Sequence, residues 1–148
     1  MATSSFIRRT KISKRSPVYD EQAKFFAELL LELIDEYKIE TEMNNGNEIE
    51  LSEFFQIAAY NRFMRGANAC GFVCSDYNPD FPLGEILSRP EHEVQHLSFA
   101  KLRHYVHTLL RAEAWAGGHD SPIRDALNAG AMQILANRIL NDETLREP

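Results

Sequence analysis

A chain of 148 residues, 44% of them hydrophobic, holds enough apolar material for one buried core, so disorder throughout is not expected. No apolar run approaches the roughly 20 residues that cross a bilayer, the basic N-terminus lacks the apolar stretch of a secretory signal, and two cysteines make no disulfide framework, so a cytoplasmic protein is expected. The net charge of −6 is unevenly spread: residues 1–19 carry five bases and no acid, whereas residues 20–53 carry eleven acids against two lysines.

Residues 1–15 read as a flexible basic arm. Ser16-Pro17 is a helix start, with serine as N-cap and proline at the first helical position. The first helix is expected to run to about Lys38, with Phe26, Leu29, Leu30, Leu33, Ile34 and Tyr37 at helical spacing on its inner face. Glu21, Glu28, Glu32, Asp35 and Glu36 lie opposite, and Phe25 and Leu31 project at the margins. Asn44-Asn45-Gly46-Asn47 is turn chemistry. One second helix should follow, capped by Ser52 and stopped at Gly71, with Ile57, Tyr60, Phe63, Met64 and Ala67 inward and Arg62 and Arg65 pointing away.

Phe72-Val73-Cys74 reads as a short extended piece, and the two prolines of Tyr77 to Gly84 as a loop. A single helical turn is expected at Glu85 to Leu87. Ser98 caps a helix from Phe99 to about Trp115, ended by Gly117-Gly118, with Phe99, Leu102, Val106, Leu109 and Leu110 expected on its buried stripe. Ser121-Pro122 opens a short helix that ends near Gly130, and Ala131 to Leu140 is the last, with Met132, Leu135 and Leu140 apolar. The expected fold is all-α: a single compact bundle of about five helices over residues 16–141, with a polar tail at 142–148.

Four constellations can carry chemistry. Cys70, Cys74, His92 and His96 offer two close ligand pairs of the kind a tetrahedral zinc site needs, set against the commoner reading of buried thiols. Arg103, His104, His107 and Arg111, with Lys101, form a basic strip suited to phosphate or carboxylate. The alternative for this strip is a polar face that pairs with acids of the first helix. Glu113 falls on a buried stripe and calls for a partner, for which an arginine is expected; the alternatives are a stripe that ends in solvent by that turn, or a general acid with no visible companion. Trp115 and His119 flank a glycine turn and read as a satellite cluster sealing a helix junction, or as a pocket. No phosphate-binding loop, dinucleotide fingerprint or hydrolase elbow occurs, and no cofactor is expected.

Two resemblances follow from these residues. Arg103 and His107 resemble the Arg–His signature of HEPN ribonucleases, with three intervening residues where that family has four or more; the resemblance implies RNA cleavage by this pair. The pattern from Leu102 to His119, the Ala126 to Leu140 stretch with its closing run from Ala129 to Ile139, and Ala69-Cys70-Gly71-Phe72-Val73 resemble a family of small, mostly bacterial and phage-borne helical proteins of unknown function over residues 53–140. That family implies no catalytic residue. The expected function is therefore a non-enzymatic protein-binding module, a phage or mobile-element regulator or a small subunit of a larger assembly. Its contact surface is the acidic face of Glu21, Phe25, Glu28, Leu31, Glu32 and Asp35, and its partner a protein such as a basic nucleic-acid-binding one. The alternative is nucleic-acid binding, or HEPN-like cleavage, by the Arg103–Arg111 strip. No membrane partner is expected, and a homo-oligomer is compatible with the sequence.

Overall fold

The structure, a computed structural model, describes residues 17–69 and 82–141. The basic arm, the Ser16 cap, the Phe72-Val73-Cys74 piece, the start of the proline loop and the C-terminal tail lie outside the described residues. Among the described residues every regular element is helical: α1 (Pro17–Met43), α2 (Leu51–Phe54), α3 (Ala58–Ala69), α4 (Leu83–Ser88), α5 (Pro90–Glu93), a 3₁₀ turn (Val94–His96), α6 (Phe99–Ala116), α7 (Pro122–Ala129) and α8 (Ala131–Asn141). The fold is all-α as the periodicity predicts, with eight α-helices among the described residues in place of about five. None of these helices is long and apolar enough to cross a membrane.

The extra helices have local causes. The segment expected as one helix capped by Ser52 is two. Glu50 precedes α2, and its backbone N–H donates to the Glu53 carboxylate at 3.4 Å, so the helix starts one residue before Ser52. The chain then turns at Phe55 to Ile57, and α3 begins afresh. Its second residue, Ala59, donates its N–H to Glu36 of α1 at 3.2 Å. A carboxylate at a helix N-terminus satisfies an orphan donor and meets the positive end of the dipole. α1 runs five residues beyond its predicted end. It stops where Asn45 and Gly46 take positive φ (61° and 78°) and the Gly46 N–H reaches back to the Thr41 carbonyl at 2.9 Å.

α1 is the spine. Phe26, Leu30, Leu33 and Tyr37 are buried on its inner face against α3 and α8, while Leu29 and Ile34 are half-buried. Phe26 meets Phe63 at a ring separation of 5.6 Å. Phe54 sits among three rings, those of Tyr37, Phe55 and Tyr60, the closest at 4.9 Å. Leu102, Val106, Leu109 and Leu110 of α6 close the same core from the other side, with Ile123, Met132 and Leu135. On α8 the buried aliphatic near the end is Ile139, whereas Leu140 is exposed. Arg138 is buried too. Its guanidinium donates to the Val94 carbonyl at 3.0 Å and to the Leu97 carbonyl, and so ends the 3₁₀ turn.

α1 and α3 approach closely at Gly66, where a β-carbon would collide with the methyl ends of Leu29. Gly66→Leu is expected to destabilise the protein by about 1–3 kcal/mol in urea denaturation, the usual cost of overpacking. Gly66→Ala costs less, because alanine's helix propensity, worth up to about 1 kcal/mol, offsets the displacement of a flexible side chain. In a Leu29→Ala background Gly66→Ala should become stabilising.

Candidate functional site

Two places concentrate ionisable groups: a buried node around Glu113 and the outward face of α1. The node begins with a carboxylate that the α6 periodicity places inward; Glu113 is only 6% exposed. Its Oε2 accepts from the Tyr60 hydroxyl and from the Ser121 hydroxyl, each at 2.7 Å. Its Oε1 accepts from the Ile123 N–H at 2.9 Å. Ser121 in turn accepts from the Arg124 N–H at 3.1 Å, as the N-cap of α7. The expected arginine partner is thus replaced by two hydroxyls and a helix N-terminus. Each supplies a donor without a second charge to desolvate, and the free N–H groups at the start of α7 supply positive potential. Burial, then the hydrogen bond to Glu113 and its charge, push the Tyr60 pKa well above the ordinary 10.0. With three donors on one carboxylate, the node joins α3, α6 and α7 and leaves Glu113 committed to structure.

Tyr105 makes the contrast. It is fully buried, its hydroxyl has no hydrogen-bond partner among the described residues, and burial alone pushes its pKa up.

The predicted contact surface on α1 divides in two. Glu32 bonds the Arg62 Nε at 2.8 Å, and Glu36 lies 3.5 Å from the same guanidinium. Arg62 therefore faces α1, against the expectation that it points away. Glu21, Glu28 and Asp35 are exposed, Phe25 is 48% exposed, and Leu31 is half-buried against the core. Ile39 (52% exposed) and Met43 (76%) continue the outward face beyond the predicted helix end. Beside them a groove of about 470 Å³ opens between α1 and the α2–α3 corner, lined by Glu36, Glu40, Met43, Glu53 and Ile57 among others. Sequence reasoning missed Ile39, Met43 and the groove, because α1 was expected to end at Lys38.

On the basic strip, Arg103, His104 and His107 are half-buried and Arg111 is exposed, and each of the four engages a neighbour. His92 and His96 are exposed with rings 5.7 Å apart, and His92 Nδ1 lies 3.1 Å from Glu93. Cys70 and Cys74, the other half of that set, lie outside the described residues. No cluster of three or more metal-ligating side chains occurs among the described residues. Trp115 is 80% exposed and seals no junction, and His119 is exposed too. No known protein family, characterised protein or solved structure matches the chain.

Two substitutions separate the tyrosines. Tyr60→Phe leaves Glu113 short of one donor and should cost about 1–2 kcal/mol in urea denaturation. Tyr105→Phe removes a buried hydroxyl that has no partner among the described residues and should be neutral or stabilising. The raised Tyr60 pKa also sets a pH dependence. Below pH 10.0 the folded and unfolded chains both hold its proton; above it the unfolded chain releases the proton and the folded chain keeps it. Stability should therefore fall as pH rises above about 10, and the fall should be shallower in Tyr60→Phe, with Tyr37 and Tyr105 supplying the remainder.

Proposed function

We propose that the protein is a non-enzymatic binding module that holds a protein partner on the outward acidic face of α1. The observation that carries this reading is Phe25, an aromatic ring left about half exposed between the exposed carboxylates of Glu21 and Glu28. Aromatic anchors ringed by charge are characteristic of protein-recognition surfaces, where a few such residues supply most of the binding energy. The partner that complements this face is positively charged, such as a nucleic-acid-binding protein. A regulator of such a protein, or a small subunit of a larger assembly, fits that role, in keeping with the resemblance to small phage-borne helical proteins.

The state of the other ionisable groups supports this choice. Glu113 is saturated by structural donors. Arg103, His104 and His107 are half-buried and engaged, which favours the acidic face over the basic strip as the contact surface. Glu32 is part of an internal pair, so the exposed charges to test are Glu28 and Asp35.

Affinity capture from native cells with the full-length chain, read by mass spectrometry, tests the proposal. Glu28→Lys with Asp35→Lys should lose the captured protein while leaving the denaturation midpoint unchanged. Capture that survives both reversals rejects this face. Phe25→Ala should weaken the captured complex at least about tenfold, as expected for an anchor worth more than about 1.4 kcal/mol.

A further inference from the structure

Resting on the binding reading above, the arrangement of side chains along α1 narrows the occupant. Among the described residues, three of the five large hydrophobic side chains that stand exposed, Phe25, Ile39 and Met43, belong to this one helix. At about 100° per residue they project within an arc of roughly 40°. Phe25 and Ile39 are fourteen residues apart, about 21 Å along the axis. Between them along the helix stand the half-buried Glu32, on the line that joins them, and the exposed Glu28 and Asp35 to one side of it. Residues 21–43 carry seven acids and two lysines. Arg62 of α3 answers Glu32 and Glu36.

We propose that this stripe is a docking track for a basic amphipathic helix of a partner protein, with apolar side chains seated on Phe25 at one end and on Ile39 and Met43 at the other, and cationic side chains between them. The spacing fits a helix of about four turns lying alongside α1, since both would repeat at the same rise. Nucleic acid, which carries the same sign of charge as the stripe, is unsuited to it. The groove beside Met43 suits the last cation of such a helix. Its walls offer the Met43 and Ile57 side chains to an aliphatic stem and Glu40 and Glu53 to the charged head.

Fluorescence anisotropy on the full chain tests this with a labelled synthetic helix of about 18 residues carrying leucines fourteen positions apart and lysine or arginine between them on one face. A scrambled peptide of identical composition is the control. The matched helix should bind at least about tenfold tighter than the scrambled one, and Phe25→Ser with Ile39→Ser should abolish that preference while the far-ultraviolet circular dichroism stays unchanged. Glu40→Gln with Glu53→Gln should weaken only the matched helix. Equal binding of the two peptides, or a preference that survives the double serine variant, overturns the helix. So does tighter binding of a peptide of residues 1–15, which points to the chain's own basic arm, or self-association of the chain that Phe25→Ser abolishes, which points to a second copy. If partner capture is lost on Glu28→Lys with Asp35→Lys but matched and scrambled peptides bind alike, the binding reading stands and the helix falls. If capture also survives those reversals, both fall.

Discussion

The carboxylate of Glu113 is the constraint on which three helices depend. A buried anion carries a desolvation penalty of several kcal/mol unless donors surround it. Here the donors come from three places in the chain: Tyr60 on α3, Ser121 at the α7 cap, and the amide of Ile123 inside the first turn of α7. The penalty is offset only when all three elements are in register, so a polar group in the core acts as a geometric specification. Ser121 shows how tightly this is wired. Its hydroxyl donates to Glu113 while accepting from Arg124, so one oxygen caps its own helix and ties that helix to α6. The short α6–α7 turn, with Gly117 and Gly118 at positive φ, brings Ser121 back beneath Glu113.

The same device recurs at residues adjacent to those donors. Glu36 caps α3 through the Ala59 amide and shares Arg62 with Glu32. Glu48 holds the Asn128 side-chain amide at 2.8 Å, and Asn128 accepts from the Tyr37 hydroxyl at 2.6 Å. Arg124 donates to the Ile49 carbonyl at 3.0 Å, fixing the loop after α1 against α7. Several acids that look like a solvated surface in the sequence are thus spent inside the molecule. Arginine and hydroxyl donors drawn from distant elements hold the short helices in place, where helices of four to eight residues have little stability of their own.

That distinction separates what the sequence reveals from what it does not. Signals that act within one turn were legible: the Ser98 and Ser121 caps, the Gly117 and Gly130 stops, and the inner faces of α1, α3 and α6. Each depends on residues no more than four positions apart. The partners of Glu113 were not legible, because Tyr60 lies 53 positions away and no spacing rule connects them. Arg138 failed for the same reason, its carbonyl acceptors lying more than 40 positions upstream. The start of α2 at Leu51 was hidden by Ser52, a better capping residue in isolation than Glu50. The continuation of α1 past Lys38 was hidden because residues 39–43 lose the inward stripe, and without them Ile39 and Met43 could not be seen to share the side of Phe25. The candidate surface was therefore half legible: the exposure of Glu21, Glu28 and Asp35 was, whereas the exposed Ile39 and Met43 and the pairing of Glu32 with Arg62 were not.

The surviving outward face of α1 is best understood by what its own fold does not do for it. Isolated exposed hydrophobic residues are ordinary on protein surfaces and need no explanation. Like charges spaced four apart on a helix repel by a few tenths of a kcal/mol per pair. Arg62 relieves this repulsion at Glu32 and Glu36, where α3 packs close, and reaches no further. Glu28 and Asp35 stay exposed on the side away from α3. A helix face that served solvation alone would gain by placing polar residues at positions 25, 39 and 43. Lys24, four residues before Glu28, and Lys38, three after Asp35, offset part of the charge, yet seven acids stand against these two lysines over residues 21–43. A basic partner with matching apolar contacts would offset the remaining charge and bury the three hydrophobic side chains in one step, which no element among the described residues does.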